Sequence, residues 1–409
     1  MKYLFLTFAA VLLLTFSVKA EGYQVNLQGQ KQTGMGHTGT GLLLGPSSIH
    51  FNPGALSFLE GKYFFSGGIS GVISSNTFVK AQPSVYSAES DNPMGTPFTF
   101  YGAARLNERL VVGIGANSPY GNSLKWGDDW DGRYLIQDIS LQAIYVQPTV
   151  SYAITPNISI GGGPVVVFGS VDLNKALPLE SADGEGGVNL KGSTTAYGYN
   201  LGLFFRVSPE LTAGINYRSE VLMEMEGGDA IFTVPPSMAG SFPDNNTFYA
   251  ELPMPSNLTF GIGWKTTDKL LLALDIQSVG WSSYDELTFD FEQNTAALQD
   301  SENPRNFENT MIYRIGAEYA ALESLKIRAG IYYDETPIPS DYLTPETPGT
   351  NKTGISTGFS WDLNANLTVD ASLLYIAGEE REDGYAPLNF YGTYNTSAWI
   401  PGIGLSWSF

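Results

Sequence analysis

Four stretches of this chain alternate apolar and polar residues with period two, and nothing else in the sequence restricts its fold so much. Met311, Tyr313, Ile315, Ala317 and Tyr319 share one face, opposite Arg314 and Glu318. Leu325, Ile327, Ala329, Ile331 and Tyr333 oppose Lys326, Arg328 and Asp334. Leu367, Val369, Ala371, Leu373 and Tyr375 oppose Thr368, Asp370 and Ser372. Leu211, Ala213, Ile215 and Tyr217 are followed at the same parity by Val221, Met223 and Met225, against Asn216, Arg218, Glu220, Glu224 and Glu226. A tilted strand crosses a bilayer in about nine to eleven residues, one face in lipid and the other in a polar lumen. No apolar run beyond the N-terminus reaches the ~20 residues a spanning helix needs. In a membrane this chain is therefore all-β, a transmembrane antiparallel barrel. Closure matters there, because an open edge in hydrocarbon leaves N–H and C=O groups unpaired. A water-soluble β-sandwich alternates too and is the competing fold.

The connections favour the barrel. Thr155-Pro156-Asn157, Ser208-Pro209-Glu210, Thr266-Thr267-Asp268 and Asp362-Leu363-Asn364-Ala365-Asn366 are short polar turns. Residues 172–195, 227–250, 290–308, 334–352 and 378–396 are longer, acidic and rich in Gly, Pro, Asn and Ser, and are expected as loops. Short turns at one rim and long loops at the other are the asymmetry of outer-membrane barrels. Apolar faces end in Tyr, Trp or Phe, as interfacial girdles require. Ile403, Leu405, Trp407 and Phe409 share a face, and Phe409 closes the sequence. A final strand ending in an aromatic resembles the signal read by the bacterial barrel-assembly machinery, an expected partner along with membrane lipid and lipopolysaccharide.

The N-terminus agrees with export. Lys2 precedes an almost unbroken apolar run from Leu4 to Val18, and Val18-Lys19-Ala20 reads as a cleavage site. Residues 1–20 are thus expected to be a signal peptide. The chain has no cysteine, so neither a disulfide framework nor a metal-thiolate site is available. Its formal charge is −20, and loss of Lys2 and Lys19 makes the mature chain more negative still. Nucleic acid is excluded as a partner by that sign.

Enzymatic chemistry finds little to work with. His37 and His50 are the only histidines, and neither has triad or metal-ligand spacing. Gly161-Gly162-Gly163 lies within a strand pattern with no following helix, which points to a bend or close packing rather than a phosphate cradle. Asp128-Asp129-Trp130-Asp131-Gly132 reads as a solvated acidic loop, with cation binding as the alternative. No enzyme activity, cofactor or metal is expected. Arg218, Arg314, Lys326 and Arg328 stand among Glu220, Glu318 and Asp334 as a ladder of lumen charges.

A series of short motifs, in order, carries a family resemblance. They are Glu21-Gly22-Tyr23-Gln24-Val25-Asn26, then SSIHFNPGAL at residues 47–56, Asn117-Ser118-Pro119-Tyr120-Gly121 and Gly132-Arg133-Tyr134. Further on come residues 215–221, Leu252-Pro253-Met254-Pro255, Gly280-Trp281-Ser282-Ser283-Tyr284, Arg328-Ala329-Gly330 and residues 334–339. Together they resemble the FadL/TodX family of outer-membrane transporters for long-chain fatty acids and other hydrophobic compounds.

The resemblance implies a 14-stranded barrel at residues 62–409, plugged by an N-terminal hatch at residues 21–61. It implies cargo that leaves sideways through a gap in the wall, beside a kinked third strand. Asn52, Pro53 and Gly54 match the hatch turn; Gly54 stands where the family usually has Ala, which would loosen the turn. Gly113 and Gly115 are the expected kink positions. Tyr23, Val25 and Phe51 are expected at the ligand, with Lys175 and Arg314 as candidate basic partners for a carboxylate. Glu308 stands where the fatty-acid pattern is basic. The cargo class therefore stays open among fatty acid, hydrocarbon and lipid. A general porin or a structural surface barrel acting as an adhesin is the alternative function.

Overall fold

The computed structural model describes residues 22–83, 85–179 and 184–409. The expected signal peptide and Glu21 lie outside the described residues. The strands close into a 14-stranded antiparallel barrel. Closure is made by the first strand, Tyr63–Ser70, pairing with the last, Phe390–Ser408, from Phe64↔Ser408 to Ser70↔Gly402. No main-chain edge is then left open to lipid at the seam.

Ile315, Ile355, Ile403 and Leu405 face outward in the belt, and Trp264, Trp361 and Trp407 ring its short-turn end. Arg314, Glu318, Arg328 and Asp370 are buried on the inner face of the same strands. Arg328 donates to Glu318 and to Ser360, so these inward charges are paired rather than stranded.

Two expectations need correcting. First, much of the expected loop sequence is strand. Ile158–Leu177 and Gly186–Arg206 are 20 and 21 residues long and stay paired out to Leu177↔Gly186. Both exceed what a bilayer requires, so they project beyond it as a hairpin. Second, Val221, Met223 and Met225 do not continue the outward face of Leu211–Tyr217. They are buried inside the barrel, while Glu220, Glu224 and Glu226 are exposed. The strand Leu211–Arg218 breaks at Ser219-Glu220 and resumes at Val221–Thr233 turned over. Its neighbour does the same: Asn257 and Thr259 point in below, Phe248 and Ala250 above, with Pro255-Ser256 between them. The third strand, Leu110–Lys125, changes phase where its register shifts between Asn117 and Tyr120. Above this level the outside is water, so the polar face turns outward and the apolar face lines the interior.

Residues 22–61 run inside the barrel. Gly39 and Thr40 N–H groups donate to Asp275, at 2.9 and 3.0 Å, and Gly36 N–H donates to Ser356 at 2.9 Å. Gln147 and Asn200 amides donate to the Ile49 carbonyl. The wall meets this segment with bare backbone. A Cβ added at Gly161 would lie 2.4 Å from the Pro53 carbonyl carbon, and one at Gly330 only 2.0 Å from Gly36 N. Side chains there would hold the two backbones apart.

Candidate functional site: a lateral opening beside the N-terminal segment

Asn52, Pro53 and Gly54 form a turn fastened on every side. Asn52 Nδ2 donates to the Thr40 and Leu203 carbonyls, both at 2.9 Å, and its Oδ1 accepts from Gly54 N–H at 3.0 Å. The Gly54 carbonyl accepts from Ser151 at 3.0 Å and Ser159 at 2.7 Å, both on the wall. The turn is therefore tight rather than loosened by Gly54. A Cβ at Gly54 would sit 2.9 Å from the Gly202 carbonyl oxygen, so the missing methyl lets the turn touch the wall.

The expected kink is displaced as well. Register is unbroken from Val111 to Asn117, so the irregularity lies at Ser118-Pro119, beyond Gly113 and Gly115. Those two glycines face Ile49, each with room for no more than its own backbone: a Cβ on either would lie 2.9 Å from the Ile49 side chain.

The break at Ser118-Pro119 frees one edge of the third strand. Its pairing with Phe98–Arg105 stops at Thr99↔Asn117. Part of the exposed edge is taken by the N-terminal segment: Val25 N–H donates to Pro119 at 2.8 Å, and Gly121 N–H donates to Tyr23 at 3.0 Å. Above, Asp91 N–H donates to Lys125 at 2.8 Å and closes the frame. Between these upper and lower ties the wall is open. A cavity of about 490 Å³ fills the opening. Tyr332, Leu374 and Ile400 line it from inside, Met94 and Pro97 flank it, and the outward-facing Gln142 and Ser170 reach its outer side.

Tyr23 sits where this opening meets the interior. Its hydroxyl donates to the Pro253 carbonyl, and its ring packs edge-on to Trp281 at 5.0 Å and Tyr284 at 5.8 Å. Tyr120 donates to Pro255 at 2.9 Å and accepts from Asn257 at 2.8 Å. These rings form a partition at the level where the strands turn over. Above it lies a second, smaller cavity of about 60 Å³, lined by Leu141, Leu173, Leu190, Met225 and Phe289. Tyr23 borders both cavities. Below the partition a polar pocket holds His37, His50, Arg218, Asp275 and Gln277.

The chain matches the family model described as outer membrane protein transport protein (OMPP1/FadL/TodX) over residues 11–409. It belongs to that family. The long-chain fatty acid transport protein of Escherichia coli O6:H1 is 20% identical, over 98% of this chain and 97% of that one. Among solved structures, a FadL homologue from Pseudomonas aeruginosa superposes with a TM-score of 0.84 at 17% identity, covering 95% of this chain and 100% of that one. The Ralstonia pickettii toluene transporter TbuX gives 0.73 at 20%, covering 97% and 100%. The FadL/TodX member described here is thus an integral outer-membrane transport protein rather than an enzyme.

Within this FadL/TodX barrel the expected site residues separate into groups. Tyr23 and Val25 line the opening. Phe51 does not reach it; its ring packs on His37 at 4.8 Å beside the polar pocket. Arg314 is likewise in the polar pocket, donating to Gln277 at 2.6 Å and to Asn26 at 3.1 Å. Lys175 lies in the electrostatic field of Arg305 and Glu346 but outside the lining of the apolar cavity. Glu308 is exposed, whereas Arg305, three positions earlier, is buried against Glu346 at 2.7 Å. Burial opposes the charge on Arg305 most strongly, and Glu346, Tyr284 and Tyr385 together outweigh it, so the guanidinium is held above its ordinary range. Neither residue stands out in the sequence, because both loops read as solvated. Phe307, Ile338 and Leu343, apolar residues in the same loops and now buried, were the available signal. The acidic stretch near Trp130 is anchored at two points: Trp130 stacks on Trp126 at 4.7 Å, and Asp131 pairs with Lys80 at 2.6 Å, while Asp128 and Asp129 are exposed.

Proposed function

We propose that this protein carries hydrophobic small molecules into the outer membrane, releasing them sideways through the opening beside Ser118-Pro119. Residues 22–61 act as the hatch, and the upper apolar cavity is the waiting site. One observation supports this reading above the others: a single cavity is lined by inward-facing Leu374 and Ile400 and by outward-facing Gln142 and Ser170. An axial route would meet the polar, hydrogen-bonded hatch, which suits neither an apolar solute nor an open porin. Each methylene buried contributes about 0.8 kcal/mol, so a modest apolar site holds such cargo without chemistry. The relatives transport fatty acids in one case and toluene in another by their names, which brackets the cargo as apolar.

Thr96→Trp and Ser123→Trp place indoles on the two sides of the opening. Both variants are expected to lower uptake of a labelled hydrophobic probe by roughly tenfold, about 1.4 kcal/mol on the barrier. Heat-modifiable mobility of the folded barrel and probe binding in detergent should persist. Undiminished uptake by the two folded variants would refute lateral exit.

A further inference from the structure

We propose that Glu346 selects cargo whose polar end is an uncharged hydroxyl, and that it does so by occupying the place a carboxylate would take on Arg305. The inference rests on the upper cavity being the cargo site. That cavity is almost wholly apolar, and its charged lining includes a bonded pair, Arg305 and Glu346. Their side chains are 4% and 12% exposed, so the pair is screened by little water.

Both partners are held in place by backbone contacts. Arg305 N–H donates to Asp285 at 2.7 Å, and the guanidinium lies 5.7 Å from the Tyr385 ring centre. On the other loop, Trp126 donates to the Pro345 carbonyl at 2.9 Å, and Asn122 donates to the Glu346 carbonyl at 2.7 Å. Glu346 Oε1 receives Arg305, whereas Oε2 is buried and accepts no hydrogen bond. A buried acceptor without a donor is unfavourable, and the residue that carries it lines the cavity where cargo would lie.

Three kinds of cargo meet this arrangement differently. An alkane leaves Oε2 unsatisfied. A carboxylate brings a second negative charge against Glu346 and competes with it for the Arg305 guanidinium. A hydroxyl donates to Oε2 once a small turn of the carboxylate brings that oxygen to the cavity, and the ion pair stays intact. Lys175 adds positive potential from beyond the lining, so it shifts all anionic cargo alike and does not create the hydroxyl preference.

The test uses delipidated full-length protein in detergent at about pH 8, where a fatty acid is ionised. Dodecan-1-ol, dodecanoate and dodecane are titrated against tryptophan fluorescence, with Trp281 packed on Tyr23 as a local reporter. Dodecanol is expected to bind roughly tenfold more tightly than dodecanoate. In Glu346→Gln the freed guanidinium should improve dodecanoate binding by roughly ten- to a hundredfold and reverse the order. Because that variant strands a buried charge, a second one, Arg305→Met with Glu346→Leu, replaces the pair by apolar volume. It should bind dodecane and dodecanol alike. Lys175→Met should keep the hydroxyl preference. Dodecanoate binding as tightly as dodecanol in the unmodified protein would overturn the assignment, as would an unaltered order in both Glu346 variants. Failure to bind any of the three would overturn the cargo reading as well; binding without preference overturns this inference alone.

Discussion

The two halves of the barrel are built from the same strands with opposite polarity. In the membrane belt the outside is apolar and the inside polar, with Ile315 facing out and Arg314 in. Above the partition Met223 faces in and Glu224 out. The turnover occurs at Ser118-Pro119, Ser219-Glu220 and Pro255-Ser256. Inserting or skipping one residue in a period-two pattern moves every later side chain to the other face. A strand's apolar face thus follows the local solvent rather than the element. The contents differ accordingly: the belt encloses a backbone-to-backbone contact with residues 22–61, and the upper half encloses space.

The largest test of that contrast applies one substitution to both halves. Gly330→Ala would put its Cβ 2.0 Å from Gly36 N and 2.1 Å from the Met35 carbonyl carbon, backbone atoms with no freedom to yield. Gly187→Ala, in the projecting hairpin, meets nothing nearer than the Lys175 carbonyl oxygen at 3.8 Å. Gly330→Ala is expected to destabilise hatch docking by about 3 kcal/mol, and Gly187→Ala to change stability by about 0.5 kcal/mol or less. Conductance in planar bilayers and protease sensitivity of residues 22–61 measure the first effect. Similar behaviour of the two variants would end the idea that only the belt relies on bare backbone.

Asn52→Ala comes next. It removes two donors and one acceptor from a fully buried turn, leaving the Thr40 and Leu203 carbonyls and Gly54 N–H without those partners. Loss of about 2–3 kcal/mol is expected locally. Amide exchange should accelerate at residues 46–58 and stay slow in the strand pairs of the seam. Uptake should fall with barrel assembly intact. Equal acceleration at the seam would mean the turn supports the whole barrel instead.

Much of the belt was legible because lipid imposes one rule on every outward residue. The parity of Met311–Tyr319 and Leu367–Tyr375 is enough to read which face meets it. SSIHFNPGAL likewise announced a packed segment through its apolar brackets. The upper half was not legible for a specific reason. Val221, Met223 and Met225 keep the parity of Leu211–Tyr217, so the turnover at Ser219-Glu220 leaves the written pattern unbroken. Kink and turn failed similarly: Gly113 and Gly115 are placed for Ile49, and the bend falls on the less conspicuous Ser118-Pro119. Arg305 and Glu346 come from separate loops, 41 residues apart, and only tertiary folding brings them together.

The finest comparison sets two outward-facing aliphatic residues against each other. Ile315 is 57% exposed in the belt, and Leu222 is 37% exposed between the exposed Glu220 and Glu224. Both are exposed aliphatic side chains, and the medium outside them differs. Lysine at a lipid-facing position near the bilayer centre is unfavourable by about 2–4 kcal/mol. At a water-facing position it changes stability by about 0.5 kcal/mol at most, and beside Glu220 and Glu224 it gains opposite charges. Ile315→Lys should therefore lower the midpoint of denaturant unfolding in phospholipid vesicles, while Leu222→Lys should leave it in place. In a detergent micelle the gap should narrow, because the thin apolar shell lets the ammonium reach water. If Leu222→Lys is as damaging as Ile315→Lys in vesicles, the hydrocarbon extends above Ser219-Glu220. The turnover would then lie inside the membrane, and the acidic face of Val221–Thr233 would need another explanation.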